Sequence, residues 1–199
     1  MKTWLVFSAL VIILMLKPIY TTNAVVYSQT LDQVPILMQN HSIEKQLQAE
    51  QKHIYHLPLI TGQFAEVAVE QLGIDLVISA FDPTGKQIVA IDSPVGTEGL
   101  EIIFLIAEIE GNYTIEITSL NNSNKVGNYK VEIKDLRLAT SKDKITIQAQ
   151  NLCFEGLLIQ AKKQDVENNL KQAINKYKEA AMLYQQNQMV ERQATAYLL

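Results

Sequence analysis

The sequence is poor in the residue types that build disulfides, metal sites and nucleophilic centres. Its 199 residues include one cysteine, Cys153, and three histidines, all between positions 41 and 56. A single cysteine excludes a disulfide within the chain and a zinc site built on several thiolates. The chain also has no Gly-rich phosphate loop, nucleophile elbow or His-Glu-x-x-His motif. We therefore expect a protein that is not an enzyme and needs no cofactor or metal.

Positive charge is scarce as well. Lys and Arg number 17 against 21 Asp and Glu, which gives a net charge of −4. Because nucleic-acid binding depends on clustered positive charge, we expect no nucleic-acid partner. The hydrophobic share of 48% is too high for a mostly disordered chain. The length suits one domain with an additional element, or two small domains.

The N-terminal apolar run is too short to cross a membrane comfortably. It covers residues 5–16, follows Lys2, and falls short of the roughly 20 residues that a spanning helix needs. Thr22-Asn23-Ala24 then offers small residues where a signal peptidase cuts. This pattern predicts a signal peptide over residues 1–24 and an exported protein, periplasmic or extracellular. An uncleaved anchor in the inner membrane stays open as an alternative.

The middle of the chain alternates between apolar and polar residues, as strands do. The segments 111–117 (Gly-Asn-Tyr-Thr-Ile-Glu-Ile) and 127–133 (Gly-Asn-Tyr-Lys-Val-Glu-Ile) repeat each other, and Asp82-Pro83-Thr84-Gly85 is a strong turn signal. Closely spaced strands with no helical pattern between them predict an antiparallel β-sandwich over residues 41–135, after a linker at 25–40. We expect Tyr113 and Tyr129 to be packing residues with their hydroxyls at the rim.

This stretch resembles the bacterial pre-peptidase C-terminal domain, in which a turn of the Asp-Pro-x-Gly type precedes two Gly-x-Tyr-x-Ile/Val-x-Ile strands. The resemblance implies a small jelly-roll-like sandwich appended to an exported protein. Some members of that family bind calcium or collagen through acidic clusters, and the candidates here are Asp75, Asp82 and Asp92. They lie singly in the sequence, whereas calcium needs six to eight converging oxygens. A calcium- or carbohydrate-binding sandwich stays open as an alternative.

The apolar period changes from two to between three and four residues after Asp135. Thr140 and the residues after it predict a helix start, and Asp165 predicts the N-cap of a second helix. A third helix is expected from about Val190 to the last residue. Residues 136–199 are therefore predicted to be helical.

The second of these helices carries Ala173, Tyr177 and Ala180 at spacings that resemble a tetratricopeptide repeat. The resemblance implies one repeat over about residues 145–186 and a truncated second one after Gln188. Since such repeats rarely bury their faces singly, we expect the chain to be part of a longer protein. The order of signal peptide, sandwich and repeats resembles the front half of bacterial CHAT-domain proteins, which are common in cyanobacteria and carry a caspase-like peptidase domain. No segment of this sequence matches that domain.

These observations predict a non-enzymatic, exported protein-interaction or scaffolding module. The partner is a protein or peptide bound along the helical-repeat face, near Tyr177, Tyr184, Gln185 and Tyr197. The alternatives are the non-catalytic N-terminal part of a CHAT-type peptidase and a carbohydrate- or calcium-binding sandwich. The sequence does not fix the oligomeric state.

Overall fold

Eight β-strands are followed by three α-helices in the computed structural model, which describes residues 33–93, 96–119 and 126–199. The predicted signal peptide, residues 1–24, lies outside the described residues. The strands are β1 (Ile43–Gln48), β2 (Lys52–Leu59), β3 (Gln63–Leu72), β4 (Leu76–Phe81), β5 (Gln87–Ile91), β6 (Glu98–Ile106), β7 (Gly111–Ser119) and β8 (Val126–Leu138). The helices are α1 (Ser141–Gln160), α2 (Val166–Gln186) and α3 (Val190–Leu198).

The strands form two antiparallel four-stranded sheets, in the orders β1-β8-β3-β6 and β2-β7-β4-β5. The predicted antiparallel sandwich is confirmed. The twin Gly-Asn-Tyr segments become β7 and β8, which occupy interior positions in different sheets. The predicted turn joins β4 to β5, where Asp82 Oδ1 accepts hydrogen bonds from the backbone N–H groups of Thr84 (2.8 Å) and Lys86 (3.1 Å). Residues 34–199 form one compact unit.

Alternate side chains of each strand fill the space between the sheets. The side chains of this core are almost fully buried, as expected for strands with one dry face. Strand β1 has the sequence Ile-Glu-Lys-Gln-Leu-Gln, and only its Leu47 is fully buried. Because this segment has few apolar residues, the alternating pattern of the sequence did not predict it as a separate strand. Representative core residues are Leu57, Val67, Ile78, Ile103, Ile115 and Val131.

A chain of polar side chains crosses the core between the two sheets. The hydroxyls of Tyr55 and Tyr129 are 2.5 Å apart, and the Tyr129 hydroxyl is 2.6 Å from His53 Nδ1. The Tyr129 hydroxyl therefore lies inside the sandwich and not at its rim, where it was expected. Burial raises the pKa of Tyr129, while burial and then the charge of Lys45 lower the pKa of His53. His53 and His56 point to opposite faces of β2, so they do not converge on one ion.

The two open sides of the sandwich are closed by different segments. On the β2 side, His56 N–H donates to the carbonyl of Pro35 and Leu37 N–H donates to the carbonyl of His56, both at 2.8 Å. On the other side, α1 packs against β5 and β6, which are the last strands of their sheets. Covering these strands protects their unpaired backbone groups. Among the helices described, none combines the length and the apolar character required to span a bilayer.

The two helix starts predicted from sequence have different outcomes. Thr140 caps α1 as predicted, and it forms a capping box with Asp143. Asp165 precedes α2, but its side chain makes no capping bond because its backbone is left-handed (φ 50°) and not extended. Its carboxylate accepts a hydrogen bond from Asn168 Nδ2 instead (3.0 Å). The position of Asp165 at the start of α2 was predicted correctly, but the prediction that its side chain caps the helix was wrong.

The buried stripe of α1 is more polar than its spacing suggested. Apolar residues recur every three to four positions along α1, which predicts one buried face, yet Ile145, Leu152 and Leu157 at this spacing are only half-buried. Ala149, Cys153 and Gly156 at the same spacing are buried, as the pattern predicts, and the helix also buries the polar residues Thr146 and Gln150. This helix contacts both the sandwich and α2, so one continuous apolar stripe is not what its packing requires.

Candidate functional site

Gln150 fixes α1 to the edge of the sandwich. Its Oε1 accepts the backbone N–H of Phe104 (2.8 Å) and its Nε2 donates to the carbonyl of the same residue (2.7 Å). These are the two bonds that a neighbouring strand would make with an edge residue. Phe154, one turn further along α1, packs against the sandwich core. The helix therefore takes the place of a ninth strand at this point of β6.

A salt bridge connects the end of β8 to the start of α1. Arg137 Nη1 and Nη2 donate to the two carboxylate oxygens of Asp143 (2.6 and 2.9 Å). Arg137 Nε also pairs with Asp135 at 2.8 Å. The hydrogen bonds from Arg137, and then those from Thr140, hold the pKa of Asp143 at about 2, well below its ordinary value. This bidentate pair fixes the direction in which the chain leaves the sandwich.

The Arg137–Asp143 salt bridge predicts a contribution to folding stability that depends on pH. The folded-state pKa of Asp143 is depressed, so its contribution is complete above the ordinary pKa near 3.8 and is lost as the pH falls towards 2. We expect Asp143→Asn to lower the free energy of unfolding by about 1–2 kcal/mol at pH 7, a figure reduced for the partial exposure of Arg137. Urea unfolding between pH 7 and pH 3 tests this. A difference between variant and parent that stays constant over that range would contradict it.

Helix α3 also has a contact with the sandwich. The Arg192 guanidinium lies 5.7 Å from the centre of the Phe104 ring. That ring stacks with Phe64, with centroids 6.2 Å apart, and Arg137 lies 4.7 Å from the centre of the Phe64 ring. Two cation–π contacts therefore bracket the stacked pair of phenylalanines. Phe104 thus anchors both α1, through its backbone, and α3, through its ring.

Helices α1 and α2 approach each other closely at Gly156. A Cβ atom built on this glycine would lie 2.3 Å from Cε1 of Tyr177. The Tyr177 hydroxyl donates to Gln160 Oε1 (2.8 Å), which satisfies its polar end. Burial raises the pKa of Tyr177 to about 12. The ring of Tyr177 therefore holds the two helices together.

The four residues predicted to contact a partner fall into two groups. Tyr177 and Tyr184 are buried between the helices, where Tyr184 packs in a cluster with Cys153 and Ala196. Gln185 and Tyr197 are exposed, and 61% of the Tyr197 surface is accessible. The structure thus does not bring the four side chains to one surface. Tyr177 instead packs against Gly156 of α1, and Tyr184 packs in the core between the helices.

Three apolar residues of α2 are exposed, although their spacing in the sequence predicts a buried face. Val166, Leu170 and Ile174 are 54%, 41% and 47% accessible. They continue the apolar stripe of α2, so the sequence signal for them was present. The periodicity predicts that the stripe is covered, but it does not say how much of its length the neighbouring helices reach.

The cysteine and the acidic residues singled out in the sequence lie in separate surroundings. Burial raises the pKa of the Cys153 thiol to about 11, so it is protonated at neutral pH. Among residues 33–93, 96–119 and 126–199, no group of three His, Cys, Asp or Glu side chains is placed to hold a metal. Of the calcium candidates, Asp82 is engaged in its turn, and the pKa of Asp92 is raised by burial and then by Asp75.

A cleft of about 300 Å³ opens where α1 meets β5 and β6. Its lining combines aliphatic side chains with polar and charged ones. This volume is at the lower end of the range for small-molecule sites. The side chains that line it include Lys86, Ile88, Ile106, Glu108, Ile109, Ile147 and Asn151.

Comparisons with known proteins give a likeness of fold. No protein-family model and no curated protein matches the sequence. The pre-peptidase C-terminal domain of a Bacillus anthracis collagenase aligns with 50% of this chain and 93% of its own (13% identity, TM-score 0.41). A periplasmic inhibitor of g-type lysozyme from Aeromonas hydrophila aligns with 50% of this chain and 96% of its own, with 14% identity and a TM-score of 0.38. CorA, a surface-associated copper-binding protein of Methylomicrobium album, aligns with 53% of this chain and 97% of its own, with 9% identity and a TM-score of 0.42. The tetratricopeptide and CHAT resemblances stay predictions from the sequence.

Proposed function

We propose that this chain is a non-catalytic, exported protein-interaction module whose partner binds to helices α2 and α3. The sandwich supports the helices, because α1 packs against β5 and β6. The observation that carries the proposal is the set of exposed apolar side chains on these helices, among them Leu170, Ile174, Tyr197 and Leu198. Clusters of exposed apolar residues on a soluble protein mark interaction surfaces.

The fixed position of the helices supports this role. Gln150 and Arg192 both hold the helical segment on Phe104, and the Arg137–Asp143 pair fixes its first turn. A surface held in place before binding loses less conformational entropy when a partner docks. The proposed surface therefore lies on a preorganised support, which favours binding over a role as a flexible tail.

Site-specific photo-crosslinking tests the proposed function. A photoreactive amino acid replaces Tyr197 in the full chain, in the cells that make the protein, and a matched control replaces the exposed Gln46 on the sandwich. We expect a discrete crosslinked species at position 197 that unlabelled chain competes away, and none at position 46. Equal crosslinking at both positions, or none at position 197, would overturn the proposal.

A second candidate function is the binding of a small ligand by the cleft between α1, β5 and β6. The cleft is lined by aliphatic side chains together with charged groups of both signs, Lys86 and Glu108. A ligand that binds only the folded chain raises its melting temperature. Thermal unfolding with a panel of mono- and oligosaccharides, and separately with calcium, tests this candidate, and a melting temperature unchanged by every compound would remove it.

A further inference from the structure

The backbone of β6 turns its hydrogen-bonding groups alternately towards β3 and towards α1. The N–H of Ala107 donates to the carbonyl of Gln63 (2.9 Å), so Ala107 and every second residue before it face β3. The residues between them, among which are Phe104 and Ile106, therefore direct their N–H and C=O groups to the outer side of β6. The contacts of Gln150 agree with this for Phe104, because its side-chain amide binds both of these groups.

Ile106 has the same outward-facing groups without the same cover. It lies two residues beyond Phe104 on β6, a distance of about 7 Å along the strand. Within the part of the chain that the structure describes, no side chain forms a hydrogen bond with the backbone of Ile106. Ile106 instead lines the cleft of about 300 Å³, opposite Ile147 and Asn151 of α1. The cover that Gln150 gives to β6 therefore stops where the cleft begins.

The side chains of the cleft suit an extended peptide. Ile88 of β5, Ile109 after β6 and Ile147 of α1 line it, and its charged residues have both signs. Since a strand places successive side chains on opposite faces, a peptide that pairs with Ile106 can bury one side chain among these isoleucines. An aliphatic side chain on a neutral peptide backbone therefore fits this lining better than a single ion does.

We propose that the cleft binds an extended peptide, whose backbone pairs with Ile106 and whose aliphatic side chain is buried between β5, β6 and α1. A peptide C=O accepts the N–H of Ile106 and a peptide N–H donates to its carbonyl, which repeats the bonds that Gln150 makes with Phe104. Because Gln150 occupies β6 at Phe104, the paired stretch is limited to one or two residues. This site is separate from the surface on α2 and α3, and its ligand differs from the saccharides and calcium considered above.

NMR titration of the full chain with N-acetyl-leucine N-methylamide tests the inference. This probe has a peptide group on each side of one aliphatic side chain. We expect a saturable downfield shift of the Ile106 amide proton, and none at the exposed Gln46 of β1, which is at the opposite end of the sheet. N-acetyl-glycine N-methylamide lacks the side chain and should bind at least tenfold more weakly. Equal affinity for the two probes, or no shift at Ile106, would overturn the inference.

Hydrogen exchange in the same samples reports the bond itself. In the free chain the Ile106 amide should exchange faster than that of Leu105, whose N–H faces β3. With the leucine probe at ten times its dissociation constant, exchange at Ile106 should slow about tenfold. A probe that binds without slowing this exchange does not pair with β6, and that result would contradict the inference.

Two pairs of variants test the position of the site. Asn151→Trp fills the cleft from an exposed position of α1 and should weaken binding of the leucine probe at least tenfold, whereas Gln148→Trp, at an exposed position outside the lining, should leave it unchanged. Ile109→Asp, in the lining, and Ile36→Asp, on the β2 side of the sandwich, form a second pair, at residues that are 43% and 51% exposed. The expected difference is the same. Equal affinities within both pairs would place the probe elsewhere and overturn the inference.

The source of the peptide is distinguished by its ends. The tripeptide Gly-Leu-Gly has the same two peptide groups around leucine as the capped probe, with a free ammonium and a free carboxylate added. Tighter binding of the capped probe supports a segment within a partner chain, and tighter binding of the tripeptide supports a free peptide held also by the charged residues of the lining. Failure of both to bind would overturn the inference and leave the proposed partner surface on α2 and α3 untouched.

Discussion

Gly156→Leu is expected to lower the free energy of unfolding by about 2–3 kcal/mol, the cost of inserting side-chain atoms into a packed contact. Even the first added atom would meet the ring of Tyr177 at 2.3 Å. Leucine is a better helix former than glycine by about 1 kcal/mol, so an open position would be stabilised by the same change. Urea unfolding followed by circular dichroism measures the difference.

Two further variants separate the close approach from a general effect of leucine. Gln148→Leu places leucine at an exposed position of α1 and should change the stability by less than about 0.5 kcal/mol. The double variant Gly156→Leu with Tyr177→Ala should lose less stability than the sum of the single variants, because the ring that clashes has been removed. Additive losses would show that the two residues do not meet.

Gln150→Leu is expected to cost about 2–4 kcal/mol of stability. The substitution leaves the backbone N–H and C=O of Phe104 without the amide that satisfies both of them, and each unpaired buried group costs about 1–3 kcal/mol. Leucine has a similar volume, so the loss reports the hydrogen bonds more than the packing. Chemical unfolding of the full chain measures it.

The control for this prediction is again on α1. Gln148→Leu has the same chemical change two residues away but no bond to the sandwich, and it should be close to neutral. If Gln150→Leu were as stable as Gln148→Leu, the attachment of α1 through Phe104 would be contradicted.

The sandwich was accessible to sequence reasoning because local patterns specify it. The two Gly-Asn-Tyr segments alternate without a break, and Asp82 begins a turn whose hydrogen bonds all lie within five residues. The start of α1 is likewise local, since Thr140 and Asp143 cap it reciprocally. Strand β1 escaped notice because a strand at the end of a sheet needs few apolar residues.

The helical surface was less accessible because it depends on contacts between distant residues. Gln150 and Phe104 are 46 residues apart, and a glutamine in a helix ordinarily indicates an exposed position. Tyr177 and Tyr184 were expected to contact a partner, yet the close approach at Gly156 buries the first and α3 helps to bury the second. The exposure of Leu170 depends on how other helices pack against α2, which no periodicity in α2 encodes.

The central claim is that the helical segment is fixed on the edge of the sandwich through Phe104. Hydrogen exchange of the Phe104 amide, resolved by NMR in the full chain, tests it most directly. The account predicts exchange as slow as that of the neighbouring amides of Ile103 and Leu105, because the side chain of Gln150 accepts the Phe104 N–H. Fast exchange at Phe104 alongside slow exchange at those neighbours would contradict it.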